Sequence, residues 1–582
     1  MVLQQAVSKA NTDYRRILCH GESSFAFKRN GNRTATEQQQ NSNRTSIEYQ
    51  QNITKHNKTS VGENNMSIKV IFQTARCITF EIQDGSIFES QKEREIYVNG
   101  KFYKKTNRVI NSIYDLKPDT RYEILVKDQE EESMASVKTD HEFVTLNVRD
   151  FGAKGDGIQD DTHFIQAAIL CCPKESRVLI PAGTYKITSL FLRDDLRLEL
   201  AEGAVLSAET DRTKFPVLKG LIDSYDEKEE YNLGTWEGNP LDCFSGIIMG
   251  INVSRVTIYG QGMIDGNASF ENWWKDHKVK NIAFRPRMIF LNHCSDVTVQ
   301  GIRVQNSPSW NIHPYFSDHL RFLDMSVINP KVSPNTDGLD PESCHDVEIT
   351  GVYFSVGDDC IAVKSGKIYM GRKYKRPCQD LTIRQCCMRD GHGSLTIGSE
   401  MAGGVRNLTV KDCLFLHTDR GLRIKTRRGR GKDAVLDEII FENIRMDHVM
   451  TPFVVNCFYY CDPDGHTDYV QTKEALPVDE RTPEIRNLAF RDIEASNCHV
   501  AAAYLYGLPE QKIGQVQMER IHVTYAEEAQ MGLPAMMDGL GEMNYVGIYA
   551  NNIETLILED VKIEGQHGPA VTVENIDNFV EK

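Results

Sequence analysis

Four short polar blocks lie between residues 335 and 425: NTDG (335–338), GDDC (357–360), GHG (391–393) and RIK (423–425). They bring together three aspartates (Asp337, Asp358, Asp359), one histidine (His392) and a cation pair (Arg423, Lys425). Cutting a glycosidic bond needs two carboxyl functions, one protonated to assist the leaving oxygen and one ionised. Crowded aspartates can supply both, because mutual repulsion raises the proton affinity of at least one. The adjacent cation pair suits a substrate that itself carries carboxylates. Any one block could be a turn in which Asp or Asn satisfies backbone groups. Four in succession, with complementary chemistry, read as one site.

The surrounding elements give the blocks a common location. From about residue 250 a short strand motif recurs: VTIYGQ at 256, VTVQGI at 297, LRFLDM at 320, VEITGV at 347, LTIRQC at 381, LTVKDC at 408, IIFENI at 439, LAFRDI at 488, VQMERI at 516 and LILEDV at 556. Most steps are roughly 23–34 residues, each holding alternating apolar residues, a turn and another strand, as in the coils of a solenoid. A leucine-rich repeat would show L-x-x-L-x-L and a propeller blades of about 40 residues; neither fits. A parallel β-helix is expected, with neighbouring coils about 4.8 Å apart. Asp337 then lies one coil from Asp358 and Asp359, and His392 and the RIK block follow on later coils. Arg423 and Lys425 should point together while Ile424 faces the core. Asp358 and Asp359 should diverge unless the backbone turns, which Gly357 permits.

Upstream, residues 67–146 alternate apolar and polar positions, with turns at Asn99–Gly100 and Pro118–Asp119. The stretch Leu116-Lys-Pro-Asp-Thr-Arg-Tyr122 resembles the tyrosine corner of fibronectin type III domains, so a small β-sandwich with a packing or spacer role is expected. Residues 1–66 are read as a disordered extension; TATEQQQNSNRTS has little to bury. The remainder, 147–582, is assigned to the β-helix. Its entry, VRDFGAKGDGIQDDTHFIQAAI, reads as strand, glycine loop and short helix; the loop lacks the GK[ST] of a P-loop.

Composition narrows the options. A net charge of −15 argues against a nucleic-acid-coating protein and against a basic membrane-surface protein. No signal peptide and no run of about 20 apolar residues is legible, so a cytoplasmic protein with no membrane partner is expected. The 15 cysteines show no zinc-type spacing and read as small buried side chains in a reducing compartment. No metal ligand set and no cofactor motif is evident.

In order and content the four blocks resemble those of glycoside hydrolase family 28, the polygalacturonases, and the likeness spans roughly residues 147–582, including PAGTYKITSLFLRDDLRLELAEGAVL. The resemblance implies an all-β, right-handed parallel β-helix that hydrolyses α-1,4 bonds between galacturonic acid residues of pectic polymers or oligomers, with inversion, without metal or cofactor. By motif position Asp358 would be the general acid, Asp337 and Asp359 would activate water, and His392 would hold the carboxylates in their working state. Acid and base would stand about 6.5–9.5 Å apart. Arg423 and Lys425 would bind the substrate carboxylate, with Asn335, Arg427, Trp310 and His313 as further substrate contacts. The basic run RIKTRRGRGK would wall the anionic subsites. Long inserts (215–245, 366–378, 457–484) and the N-terminal sandwich look like bacterial exo-acting members, which implies trimming from the non-reducing end. The alternatives are a rhamnogalacturonan- or xylogalacturonan-directed hydrolase, a pectate lyase, disfavoured by the intact aspartates, and a non-catalytic β-helical carbohydrate-binding protein.

Overall fold

A computed structural model describes residues 66–221 and 232–582. The expected N-terminal extension and the middle of the 215–245 insert lie outside these residues.

Residues 67–138 form two antiparallel sheets, one of Ser67–Gln73, Ile78–Gln83 and Ile110–Ile113, the other of Lys101–Arg108, Glu89–Val98, Arg121–Lys127 and Glu132–Lys138. Their inner faces share a core of Ile78, Phe80, Ile82, Ile96, Ile113, Leu116, Ile124 and Val126. Asn99 (φ 49°) and Gly100 (φ 74°) make the tight hairpin turn, for which the left-handed region is required. Tyr122 Oη accepts a hydrogen bond from Lys117 N at 2.9 Å, closing the corner back on the backbone.

From Thr145 onward the chain winds as a parallel β-helix of three sheets. The recurring motif is its first sheet, and the motif starts stack in register: Val256 on Val297, Val297 on Leu320, Leu320 on Val347, Val347 on Leu381, Leu381 on Leu408, Leu408 on Ile439, Ile439 on Leu488, Leu488 on Val516 and Val516 on Leu556. All are buried, and with the residues two further on (Ile258, Val299, Phe322, Ile349) they fill the solenoid core. Each such side chain contributes about 1.5–3 kcal/mol by leaving water. The chain leaves this sheet through a column of left-handed residues, among them Asp324, Gln385, Asp412, Asn443 and Asp492, so polar residues recur where the coil must bend.

At the N-terminal end the helix Thr162–Cys171 buries Ile165, Ala168 and Ile169 against the first coil. Asp161 precedes it but does not cap it; its carboxylate accepts from Lys154 N and Gly155 N, each at 2.9 Å, and so folds the glycine loop. The sandwich packs on the bend after the first sheet, where Glu81 accepts from Arg384 and Gln385, Gln300 donates to Ser112 and Tyr114, and Ser112 donates to Asp324. Among the described cysteines all are free, and all but Cys171 and Cys461 are buried. Among the described residues no helix is long and apolar enough to cross a membrane.

Candidate active site

NTDG, GDDC and GHG fall at a different corner of the coil, the bend that leads into the third sheet, and RIK lies within a strand of that sheet, whose strands include Ile312–Tyr315, Ile361–Val363, Leu395–Gly398, Arg420–Lys425 and Thr451–Asn456. Parallel bridges join Leu339 to Ile361, and Ile361 pairs with Leu395. Counting back two residues sets Asp337 level with Asp359 and Asp359 level with Gly393; Asp358 is level with His392. The expectation of adjacent rungs is met.

One oxygen from each of Asp337, Asp358 and Asp359 lies within 4.8 Å of the other two. Asp358 and Asp359 therefore converge, but Gly357 does not act through an unusual φ. A Cβ there would stand 2.3 Å from Ser333 O, so the residue is small because two chain segments touch. Gly393 has the same kind of role, since a Cβ would come within 2.8 Å of Asp359 Oδ1.

The three carboxylates differ in surroundings. Asp359 is almost fully buried, with Lys425 Nζ donating to Oδ2 at 2.7 Å and Arg423 Nη1 to Oδ1 at 3.2 Å. Burial opposes its charge, but Lys425 and Arg423 outweigh it and hold the carboxyl well below the usual range. Asp337 is equally buried with Oδ1 unpartnered, and its Oδ2 lies 3.7 Å from Lys364 Nζ. Burial, then repulsion from Asp358 and Asp340, pushes its proton affinity well up. Asp358 is the most open of the three, its side chain 23% exposed, and His392 Nδ1 stands 3.3 Å from its Oδ1. That contact raises the proton affinity of His392, whose ring is half exposed. The trio thus combines a locked carboxylate, a proton-favouring carboxyl and a carboxyl that reaches solvent.

Three departures from the sequence reading stand out. Carboxylate oxygens within 4.8 Å replace the expected 6.5–9.5 Å separation. Three oxygens no further apart than that leave a central point at most about 2.8 Å from each, within hydrogen-bond reach of one water. Arg423 and Lys425 do point together while Ile424 is buried, but their charge is engaged by Asp359. The rest of the basic run is internally neutralised: Arg427 pairs with Asp464, Arg428 with Glu510, Arg430 with Asp462 and Lys432 with Glu480. Instead of walling an anionic subsite, the pairs with Asp462, Asp464 and Glu480 and the bonds from Arg428 to the carbonyls of Thr472 and Glu474 pin the 457–484 insert to the coil.

Trp310 and His313 are also placed differently. Trp310 is buried, stacked against Trp236 with Lys364 Nζ 4.3 Å from its ring centroid. His313 is wholly buried and pairs with Glu342 at 3.0 Å. Burial, with Arg287 and Lys364 nearby, holds His313 neutral, and burial beside Glu400 raises Glu342 to about 8, so the pair is uncharged at neutral pH. Asn335, in the left-handed region at φ 55°, accepts from Arg285 at 2.6 Å.

Sequence reasoning missed the buried hub. Lys364 Nζ lies 3.3 Å from Glu400, 3.6 Å from Asp340 and 3.7 Å from Asp337. Glu400 is held at about 2, burial being outweighed by Lys364, Lys367 and Lys425, whereas burial raises Asp340 to about 7. The only available signal was a charged residue directly after the apolar strand Ile361–Val363, which a period-two reading gives no reason to single out.

Residues 218–534 match the family described as Glycosyl hydrolases family 28. The chain is 31% identical over 389 residues to a probable polygalacturonase of Vitis vinifera, covering 66% of this chain and 74% of that protein. It is 29% identical over 384 residues to an endo-polygalacturonase of Pectobacterium carotovorum subsp. carotovorum, covering 62% and 84%. In fold it is similar to a family 28 exopolygalacturonase of Yersinia enterocolitica, with a TM-score of 0.64, 18% identity and coverage of 88% of this chain and 98% of that one.

Proposed function

We propose that this chain, which belongs to glycosyl hydrolase family 28, hydrolyses the α-1,4 bonds of polygalacturonate and its oligomers, and does so with inversion from the non-reducing end. The observation that carries the chemistry is the triangle of Asp337, Asp358 and Asp359, with Asp359 locked as an anion by Lys425 and Arg423. A water inside the triangle gives its proton to Asp359 as it attacks the anomeric carbon. Asp358, the member open to the cleft, protonates the departing glycosidic oxygen. Asp337 keeps a proton in the trio, so the cluster does not ionise completely before substrate arrives. His392, against Asp358, tunes and orients the acid. Direct attack by a carboxylate is disfavoured because Asp359 is held in place between Lys425 and Arg423 and Asp337 is buried, so neither can advance on the anomeric carbon.

Two loops support exo action. The 457–484 insert and the segment 526–545 bond to each other through His466–Asp538 and Asp538 N–Gln471. They also close over the rungs that carry the cations, where Arg420 donates to Leu533 O, Arg423 to Met536 Sδ and Asn456 to Met536 O. Such a wall on one side of the reacting carboxylates supports a site that takes a chain end. Chromatography of defined oligogalacturonides over time, with NMR of the first-formed anomer, tests the proposal. Early mono- or dimer release in the β configuration is expected; a ladder of mixed lengths contradicts exo action, and an α first product contradicts inversion.

A further inference from the structure

Two rungs beyond the carboxylates, at the same corner of the coil, a second constellation remains without a role. Leu416 pairs with Asp447, which sets His417 level with His448, and their rings lie with centroids 5.0 Å apart. One ligating atom from each of His417, His448 and Asp447 lies within 4.8 Å of the other two. Asp447 is buried, and Asn497 Nδ2 donates to its Oδ1 at 2.7 Å, fixing the carboxylate with Oδ2 towards the imidazoles. His448 Nδ1, a buried ring nitrogen, is at ion-pair distance, 3.1 Å, from that Oδ2, but not in hydrogen-bond alignment with it. Two ligands held about 2.0–2.1 Å from a tetrahedral ion stand about 3.3 Å apart, close to this spacing.

We infer that His417, His448 and Asp447 bind a divalent transition-metal ion of the zinc or nickel type, with Asn497 orienting the carboxylate. Two imidazoles and one carboxylate match the donor preferences of such ions, and three protein ligands leave a position for water. An outer hydrogen bond to a ligating carboxylate is the usual partner of such a site. The neighbours are otherwise engaged: Asp390, level with His417, takes Arg389 and Ser355, and His499 Nδ1 accepts from Gln530 N. The ligands are invisible in sequence spacing because they come from successive rungs.

His417 (φ 56°) and His448 (φ 52°) occupy left-handed positions, where Asn497 (φ 55°) sits on the next rung, so His→Asn removes a ligand without straining the backbone. The test is calorimetric titration of chelator-treated full-length protein with Zn2+. Wild type should take up one saturable equivalent, and so should Cys461→Ser, which removes an exposed thiol. His417→Asn and His448→Asn should each lose it with thermal unfolding in chelator unchanged, and Asn497→Gly, which tolerates the same left-handed backbone, should weaken it about 10–100-fold. No saturable uptake by wild type, or undiminished uptake in the double His→Asn variant, overturns the assignment.

Discussion

Lys425 Nζ donates to Asp359 Oδ2 at 2.7 Å, although the two residues are 66 positions apart. The pairing makes Asp359 the fixed anion of the cluster and gives Lys425 a task inside the protein. Removing it by Lys425→Met should let burial dominate, so the Asp359 proton affinity rises. A carboxylate held low is ionised down to low pH, and freeing it moves the acidic limb of kcat/KM to higher pH, with kcat falling about 10²–10⁴-fold. A rise in KM with an unmoved acidic limb would assign Lys425 to substrate binding alone.

Lys364 is a buried cation among Asp337, Asp340 and Glu400. Lys364→Met leaves those carboxyls without their counter-charge. Breaking a buried ion cluster in this way should cost about 3–5 kcal/mol in denaturant unfolding. A loss below about 1 kcal/mol would mean that the acids simply take up protons.

Glu342 titrates at about 8, against a reference of 4.5, because burial disfavours its charge. A carboxyl raised in the folded state stabilises fully below its unfolded value, and the benefit is lost as pH rises through the folded value. Thermal stability should therefore fall between about pH 4.5 and 8, and Glu342→Gln should flatten that window. Equal slopes in both proteins would show that Glu342 is ionised when folded.

Arg428 is fully buried and binds Glu510 as well as the carbonyls of Thr472 and Glu474. It is the main pin of the 457–484 insert. Arg428→Ala should loosen that wall, and products from long oligogalacturonides should shift from short ends towards mixed lengths. An unchanged product pattern in a folded variant would remove the insert from the account of exo action.

The repeat was legible because each rung spends the same apolar pair on the same core position: Leu320, Val347 and Leu381 recur in sequence and stack in space. The aspartates were legible for the same reason, since a stacked corner turns sequence intervals into neighbours. What the sequence hid were contacts across inserts. Nothing local in RIKTRRGRGK reports that Asp462, Asp464, Glu480 and Glu510 neutralise it, and nothing in NSPSWNIHP reports that Trp236 covers Trp310. Lys364 escaped because it follows the apolar run Ile361–Val363 as a lone cation, with no polar block of its own to mark it.

In the proposed reaction Asp358 protonates the leaving oxygen of a galacturonide bond. The direct measurement is the release of reducing ends from polygalacturonate by wild type and by Asp358→Asn, an isosteric change that should leave thermal unfolding nearly unmoved. Wild type should release them steadily, and the variant at a rate about 10²–10⁴-fold lower. Comparable rates from the two proteins, or no release by wild type, would contradict the account.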